Sequence, residues 1–210
     1  MKALALEFWL QVVQRLAEVF AKNELRLCGL DGATGDGDHG TSMLLGFSQA
    51  QRSLAERPPG DIGELFRRMG EAFITNVGGV TGVIFGSMFA ALGESSADAQ
   101  KLYTDGIHRM FAAGLMGVEN RGKVKEGDKS LVDALSPAVI ALALAVEKRQ
   151  DPQEALEFAS QAAAAGLEAT RIMEAKVGRA RYQRGKAVGH LDAGAASISL
   201  IFEVLASASE

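Results

Sequence analysis

Asp31, Asp36 and Asp38 stand close together in LCGLDGATGDGDHGTSMLLGF, residues 27–47, and no Lys or Arg separates them. Three carboxylates in one loop repel one another unless positive charge lies among them. A hard divalent cation suits them. Mg²⁺ takes oxygen ligands in octahedral geometry, keeps several waters, and is held by a few carboxylates together with substrate phosphates. The 36, 38 spacing brings two carboxylates to one side of an extended turn, and the flexible segment 32–35 can fold Asp31 back towards them. A calcium EF-hand does not fit, because the ligand series lapses into Gly40 and no bidentate Glu follows at the twelfth position. A solvated Asp turn with no ion is the alternative that this loop alone leaves open.

The same stretch contains Gly35-x-Gly37-x-x-Gly40, the spacing of the dinucleotide-binding glycine fingerprint. That fold needs a strand before Gly35 and alternating strands after it. LRLCGL is the one candidate strand nearby, and although Glu56 stands where a ribose-binding acid is expected, the helical remainder of the chain argues against the fingerprint. A phosphate-loop pattern at residues 117–124 fails as well, because Val124 occupies the place of the magnesium-binding hydroxyl. With Mg²⁺ at the carboxylates, the glycines would instead admit phosphate oxygens whose charge the metal offsets. The helix predicted from His39 then turns unpaired N–H groups and a positive dipole end on the same phosphates.

The elements that must position this loop are helical. Leu6, Leu10, Val13, Leu16 and Phe20 recur at spacings of three and four. Similar patterns cover residues 39–56, 62–77, 82–93, 101–117, 130–148, 152–173 and 192–208, separated by Gly, Asp and Pro. Pro152 after Asp151 marks a helix start, at the position where a missing N–H costs nothing. No alternating run of β-branched residues is long enough to predict a strand. The expected fold is therefore all-α, an antiparallel up-and-down barrel or bundle of eight helices. Against that background the 24 glycines are unusual: they cluster in GATGDGDHG, VGGVTG, NRGKVKEG and VGRARYQRGKAVGHLDAG, each expected between helices. Four such loops together predict a binding rim at one end of the bundle.

Composition bounds the rest. A chain of 210 residues with 48% hydrophobic content is expected to form one domain over residues 1–210. The lone Cys28 excludes an internal disulfide, and Glu7 interrupts the apolar start, so no secretory signal and a cytoplasmic location are expected. The apolar run around residues 135–146 is interrupted by Ser136 and Pro137 and falls short of the ~20 residues of a membrane span. A formal charge of −4 offers no basic field to nucleic acid.

LDGATGDGDHGTSM resembles the Leu-Asp-x-x-x-Gly-Asp-Gly-Asp-His-Gly-x-Asn segment of the nucleotide-binding L subunit or domain (DhaL) of dihydroxyacetone kinases. VGGVTGVIFGSMF, EGDKSLVDALSPA and KVGRARYQRGKAVGHLDAGAAS agree with that family in order and spacing, so the resemblance covers essentially the whole chain. It implies an eight-helix barrel with ADP or ATP and two Mg²⁺ ions at one rim. Carried over by motif, Asp31, Asp36 and Asp38 would be the metal ligands. His39, Gly40, Thr41 and Ser42 would contact phosphates from a helix start, and Val80 and Thr81 would meet phosphate or ribose. Gly122 and Leu131 would line the adenine pocket, Arg179 would lie near the phosphates, and Asp192, Ala193 and Gly194 would close the site. Asp128 and Asp133 read as helix-start and packing residues instead. This chain has Ser42 where the family usually has Asn, Thr81 for Ser, Ser130-Leu131 for Thr-Met, Ala193 for Pro, and Ile84-Phe85-Gly86 for Leu-Tyr-Gly. These departures suggest a divergent branch whose sugar need not be dihydroxyacetone.

The activity so implied is that of a phosphotransferase, working only with a separate sugar-binding kinase subunit. No catalytic base is expected from this chain. ATP would exchange freely as substrate, or ADP would be held tightly and recharged by a phosphohistidine carrier protein. The rival reading is a non-catalytic, nucleotide-binding regulatory subunit that binds a transcription regulator or a kinase partner.

Overall fold

The computed structural model describes residues 2–182 and 185–208. Among them are eight α-helices: α1 (Leu6–Gly32), α2 (His39–Glu56), α3 (Ile62–Asn76), α4 (Gly79–Ser95), α5 (Thr104–Gly122), α6 (Val132–Glu147), α7 (Pro152–Ala169) and α8 (Ala193–Ser207). Each packs on the next in sequence, and α8 returns to α1, so the ring closes. A two-residue antiparallel ladder, β1 (Leu4–Ala5) with β2 (Lys101–Leu102), ties the start of the chain to the entrance of α5. It is too short for periodicity to reveal.

Neighbours run antiparallel. Gly63 near the start of α3 faces Gly93 near the end of α4, and a Cβ on Gly70 would stand 2.8 Å from Ala90 N and 2.9 Å from Gly86 O. Glycine at these positions lets two helix backbones touch, so part of the glycine content lies inside helices and serves packing. The α6–α7 pair shows the same device differently. Pro137 lies within α6 and has no N–H for the carbonyl of Asp133 one turn back; Gly166 of α7 approaches that carbonyl so closely that a Cβ would sit 2.1 Å from it. Inside the ring, Trp9, Phe8, Phe20, Phe47, Phe73, Phe89 and Phe202 are fully buried, with Phe20 stacked on Phe47 at 4.5 Å. No helix among the described residues is long and apolar enough to cross a membrane.

Two boundaries differ from the sequence expectation in ways that matter for function. Helix α1 continues through LRLCGL to Gly32, so the segment that a dinucleotide fold would need as a strand is helical. Helix α4 begins at Gly79 rather than 82, because Gly78 adopts the extended N-cap conformation and Gly79 a positive φ of 68° that a side chain would resist. The VGGVTG cluster is thus a helix N-terminus rather than a free loop. Asp151 caps α7 as expected, accepting from the amides of Gln153 and Glu154 in a capping box ahead of Pro152.

Candidate functional site

In a ring of antiparallel neighbours, α2, α4, α6 and α8 all start at the same end. Each of the four glycine clusters leads into one of these starts, so up-and-down topology gathers onto one rim what the sequence spreads over most of its length. Four helix N-termini turn positive dipole ends to this rim, although the first amides of α6 are already bonded within the chain, Val132 N to Ser130 Oγ and Asp133 N and Ala134 N to the carbonyls of Ser130 and Leu131.

The acidic loop joins α1 to α2 across this rim. Asp31, in the last turn of α1, organises it: its backbone carbonyl accepts from Thr34 N (2.9 Å) and Gly35 N (2.5 Å). Its side-chain Oδ2 accepts from Gly37 N (2.8 Å) and Asp38 N (3.2 Å). Gly37 takes φ +78° to complete the turn. As a result Asp31, Asp36 and Asp38 each offer a carboxylate oxygen, all within 4.8 Å of one another. A Cβ on Gly35 would stand 2.3 Å from Asp31 Oδ1, so the glycine leaves that oxygen open. An all-oxygen, anionic donor set with such an opening fits a hard divalent ion. The loop is also not without counter-charge, for the guanidinium of Arg179 reaches over from the α7–α8 connection and pairs with Asp36.

The structure brings most of the other expected site residues to this end and shows which of their groups face inward. His39 and Gly40 are buried at the start of α2, Gly40 so tightly against α1 that a Cβ would overlap Glu24 O. The Thr41 hydroxyl donates to Glu24 Oε1 (2.9 Å), and Cys28 Sγ lies 3.6 Å from it, so this side chain is turned to α1. Ser42 is half-buried in the same first turn, its amide donating to Asp38 O (2.9 Å). Val80 is exposed and Thr81 half-buried at the start of α4. Gly122 ends α5 near Ile84, and the buried Leu131 lies against Gly194, whose hypothetical Cβ would be 3.3 Å from Leu131 Cβ. Asp192 caps α8 through Ala195 N (2.7 Å), and Ala193 begins that helix. Asp128 and Asp133 do serve the chain fold: Asp128 accepts from Lys125 N (3.0 Å), and Asp133 from Gly127 N (2.5 Å) and Ser130 N (2.7 Å).

The family model for the DAK2 domain matches residues 33–207. The chain belongs to the DAK2 domain family. It is 34% identical over 196 residues to the PEP-dependent dihydroxyacetone kinase, ADP-binding subunit DhaL, of Escherichia coli, covering 93% of each chain. It is 36% identical over 197 residues to the L-erythrulose kinase of Pectobacterium atrosepticum, covering 90% of this chain and 32% of that one. The crystal structure of the dihydroxyacetone kinase from C. freundii in complex with AMP-PNP and Mg²⁺ superposes with a TM-score of 0.73 at 28% identity, covering 98% of this chain and 34% of that one.

Two groups of this DAK2 domain, His39 and Asp192, have strongly displaced protonation equilibria at the rim. The His39 ring is pushed down to about 4, mainly by burial, with Asp31 and a hydrogen bond to the Ala193 carbonyl opposing. It is neutral, shares a 2.8 Å hydrogen bond with Ser197 Oγ, and faces Phe85 at 6.1 Å, so it ties α2 to α4 and α8. Asp192 is pushed up to about 7, chiefly by burial; the Ala195 amide opposes this, while Asp133 and Asp31 add to it. The sequence reading missed Ser197, a small polar residue in an otherwise apolar stretch, and Lys129, whose buried ammonium donates to four main-chain carbonyls. Ser197 carries a weak signal, a hydroxyl on the inner face of α8. Lys129 carries none, since main-chain acceptors leave no mark in residue types.

Proposed function

We propose that this chain is the Mg²⁺- and ADP- or ATP-binding subunit of a split kinase for dihydroxyacetone or a related short ketose, acting on a sugar held by a separate subunit. The observation that carries the reading is the convergence of Asp31, Asp36 and Asp38 on the rim where α2, α4, α6 and α8 begin. The E. coli relative supports it as an ADP-binding subunit, and the solved C. freundii kinase supports it with AMP-PNP and Mg²⁺.

In this reading residues 1–210 work as one nucleotide-binding domain in the cytoplasm. Asp31, Asp36 and Asp38 hold two Mg²⁺ ions, whose chemistry is to supply positive charge to the β- and γ-phosphates. At the start of α2, His39, Gly40 and Thr41 offer their amides to phosphate oxygens and Ser42, whose amide is bonded to Asp38 O, its hydroxyl, while Val80 and Thr81 bind phosphate at α4 or reach the ribose. Because these are chiefly backbone groups at helix starts, they need no side-chain reorganisation as charge develops. Gly122 and Leu131 flank the adenine, and Asp192, Ala193 and Gly194 close the site. Arg179 exchanges Asp36 for the phosphate being transferred. No general base comes from this chain, since phosphoryl transfer depends mainly on positioning and electrostatics.

Mass spectrometry of the natively purified protein tests the class directly: a co-purifying ADP is expected. Mixing with a sugar-binding subunit should then give transfer to dihydroxyacetone or erythrulose. The phosphoenolpyruvate dependence of the E. coli relative supports recharging of bound ADP by a phosphohistidine carrier protein, and slow nucleotide release during turnover is the expected sign. Tight nucleotide binding with no transfer to either ketose would assign the chain to regulation instead.

A further inference from the structure

The connection from α7 to α8, residues 170–192, is the longest in the ring and has only two single 3-10 turns of its own, at Thr170–Ile172 and Ala180–Tyr182, among the described residues. Loops of this length inside a compact fold are uncommon and usually functional. It carries Arg179, whose side chain is 66% exposed where it meets Asp36. Something else must set the register of that arginine.

The two ends of the connection come together around one side chain from a different element. Lys129, in the α5–α6 connection, is 4% exposed. Its Nζ donates to Thr170 O (2.8 Å), Met173 O (3.2 Å), Ala187 O (2.6 Å) and His190 O (2.7 Å). The first two carbonyls belong to the entry of the connection and the last two to its exit. An ammonium has three N–H groups, so four acceptors fill its shell and one N–H is shared. Gly189 N to Arg171 O (2.7 Å) and Asp192 N to Thr170 Oγ1 (3.0 Å) join the same two ends. Charge-assisted bonds of this kind are roughly twice as strong as neutral ones, and a buried ammonium without its acceptors would be costly.

We propose that Lys129 is a positioning residue whose ammonium acts as a fixed internal cation, clasping the ends of the 170–192 connection and thereby holding Arg179 over the acidic loop. The role assigned to Arg179 rests on the function proposed above; the clasp itself does not. A cation tethered to the chain needs no capture from solution, so the carbonyl cage is filled whenever the protein is folded. The backbone at Lys129 has φ +59°, a left-handed conformation that glycine adopts without strain. Lys129→Gly therefore removes the cation while suiting the backbone, and leaves space that an ammonium ion can enter.

The test uses the full chain without nucleotide or Mg²⁺. Tryptic cleavage after Lys176, Arg179 or Lys186 is timed in wild type, Lys129→Met and Lys129→Gly, the last prepared in ammonium chloride so that it folds. Cleavage is expected to accelerate by about tenfold or more in Lys129→Met, and in Lys129→Gly after ammonium is removed, as local opening becomes cheaper. Ammonium should restore protection to Lys129→Gly but not to Lys129→Met, whose side chain fills the cage, and tetramethylammonium at equal ionic strength should restore neither. Cleavage of Lys129→Met within about twofold of wild type, or equal effects of the two ions on Lys129→Gly, would overturn the clasp. Nucleotide binding then tests the link to Arg179: Lys129→Gly should weaken wild-type affinity but change little in an Arg179→Ala background, and additive losses would refute the link. Failure of the wild type to bind nucleotide would instead remove the proposed function, with the proteolysis result still standing.

Discussion

The guanidinium of Arg179 pairs with the carboxylate of Asp36, the central member of the acidic loop, although the two come from opposite ends of the sequence. Both side chains are partly exposed, so the pair contributes only about 0–1 kcal/mol to stability. Its interest is competition, because the arginine uses a carboxylate that the proposed divalent ion would also need. Arg179→Gln should therefore bind Mg²⁺ more tightly in the absence of nucleotide, read by calorimetry, and yet lower phosphoryl transfer by roughly 10²-fold or more, since a charge facing the transferred group is lost. Weaker Mg²⁺ binding in that variant would contradict the competition.

Asp36→Asn and Asp38→Asn keep side-chain size and remove one anionic ligand each. Neither side chain caps α2, whose N-cap Asp38 makes no side-chain cap bond. Both variants should lose Mg²⁺-nucleotide binding by about 10²-fold while far-UV circular dichroism stays unchanged. Asp31→Asn should differ, because Asp31 Oδ2 also holds the amides of Gly37 and Asp38. A lower melting temperature is expected for that variant alone.

Burial pushes Asp192 up to about 7 from an ordinary carboxylate value of 3.8. The folded state thus retains a proton that the unfolded chain gives up, and this contribution to stability is complete below pH 3.8 and lost as pH rises through 7. Asp192→Asn removes the titration while keeping an oxygen for Ala195 N. In metal-free protein it should gain up to about 4 kcal/mol relative to wild type at pH 8 and little at pH 4, as measured by denaturant unfolding. An equal difference at both pH values would show that Asp192 is not carrying the shift.

Gly70→Ala sets helix propensity against packing. Alanine is favoured in a helix interior by about 1 kcal/mol, but its Cβ would press on Ala90 N and Gly86 O, backbone atoms of α4 that cannot rotate away. Overpacking costs about 1–3 kcal/mol, so a net loss and a lower melting temperature are expected. A stabilised variant would mean that α3 and α4 separate more easily than their contact suggests.

Much of this arrangement was legible in advance. The 3.6-residue periodicity marked eight helices, and the Asp31, Asp36, Asp38 loop marked a candidate cation site because carboxylates without local counter-charge need an external partner. Helix ends were less legible: α1 continues to Gly32 and α4 begins at Gly79, since caps and backbone conformation at glycine decide such ends and apolar spacing does not. Four glycine clusters were read as interhelical rim, and the glycines inside the expected helices were given no role, whereas Gly63, Gly70, Gly93 and Gly166 are sites where one helix backbone touches another.

What the amino-acid order determined by itself is local: which segments coil and which short stretches concentrate charge, because propensity, periodicity and turn chemistry act between near neighbours. Tertiary structure decided which distant groups share a space. Ring closure put the starts of α2, α4, α6 and α8 on one rim, set Arg179 on Asp36 and His39 on Ser197, and gathered four main-chain carbonyls around Lys129. The physical reason is that these partners are chosen by chain path and by backbone atoms common to every residue, so side-chain identity along the sequence does not encode them.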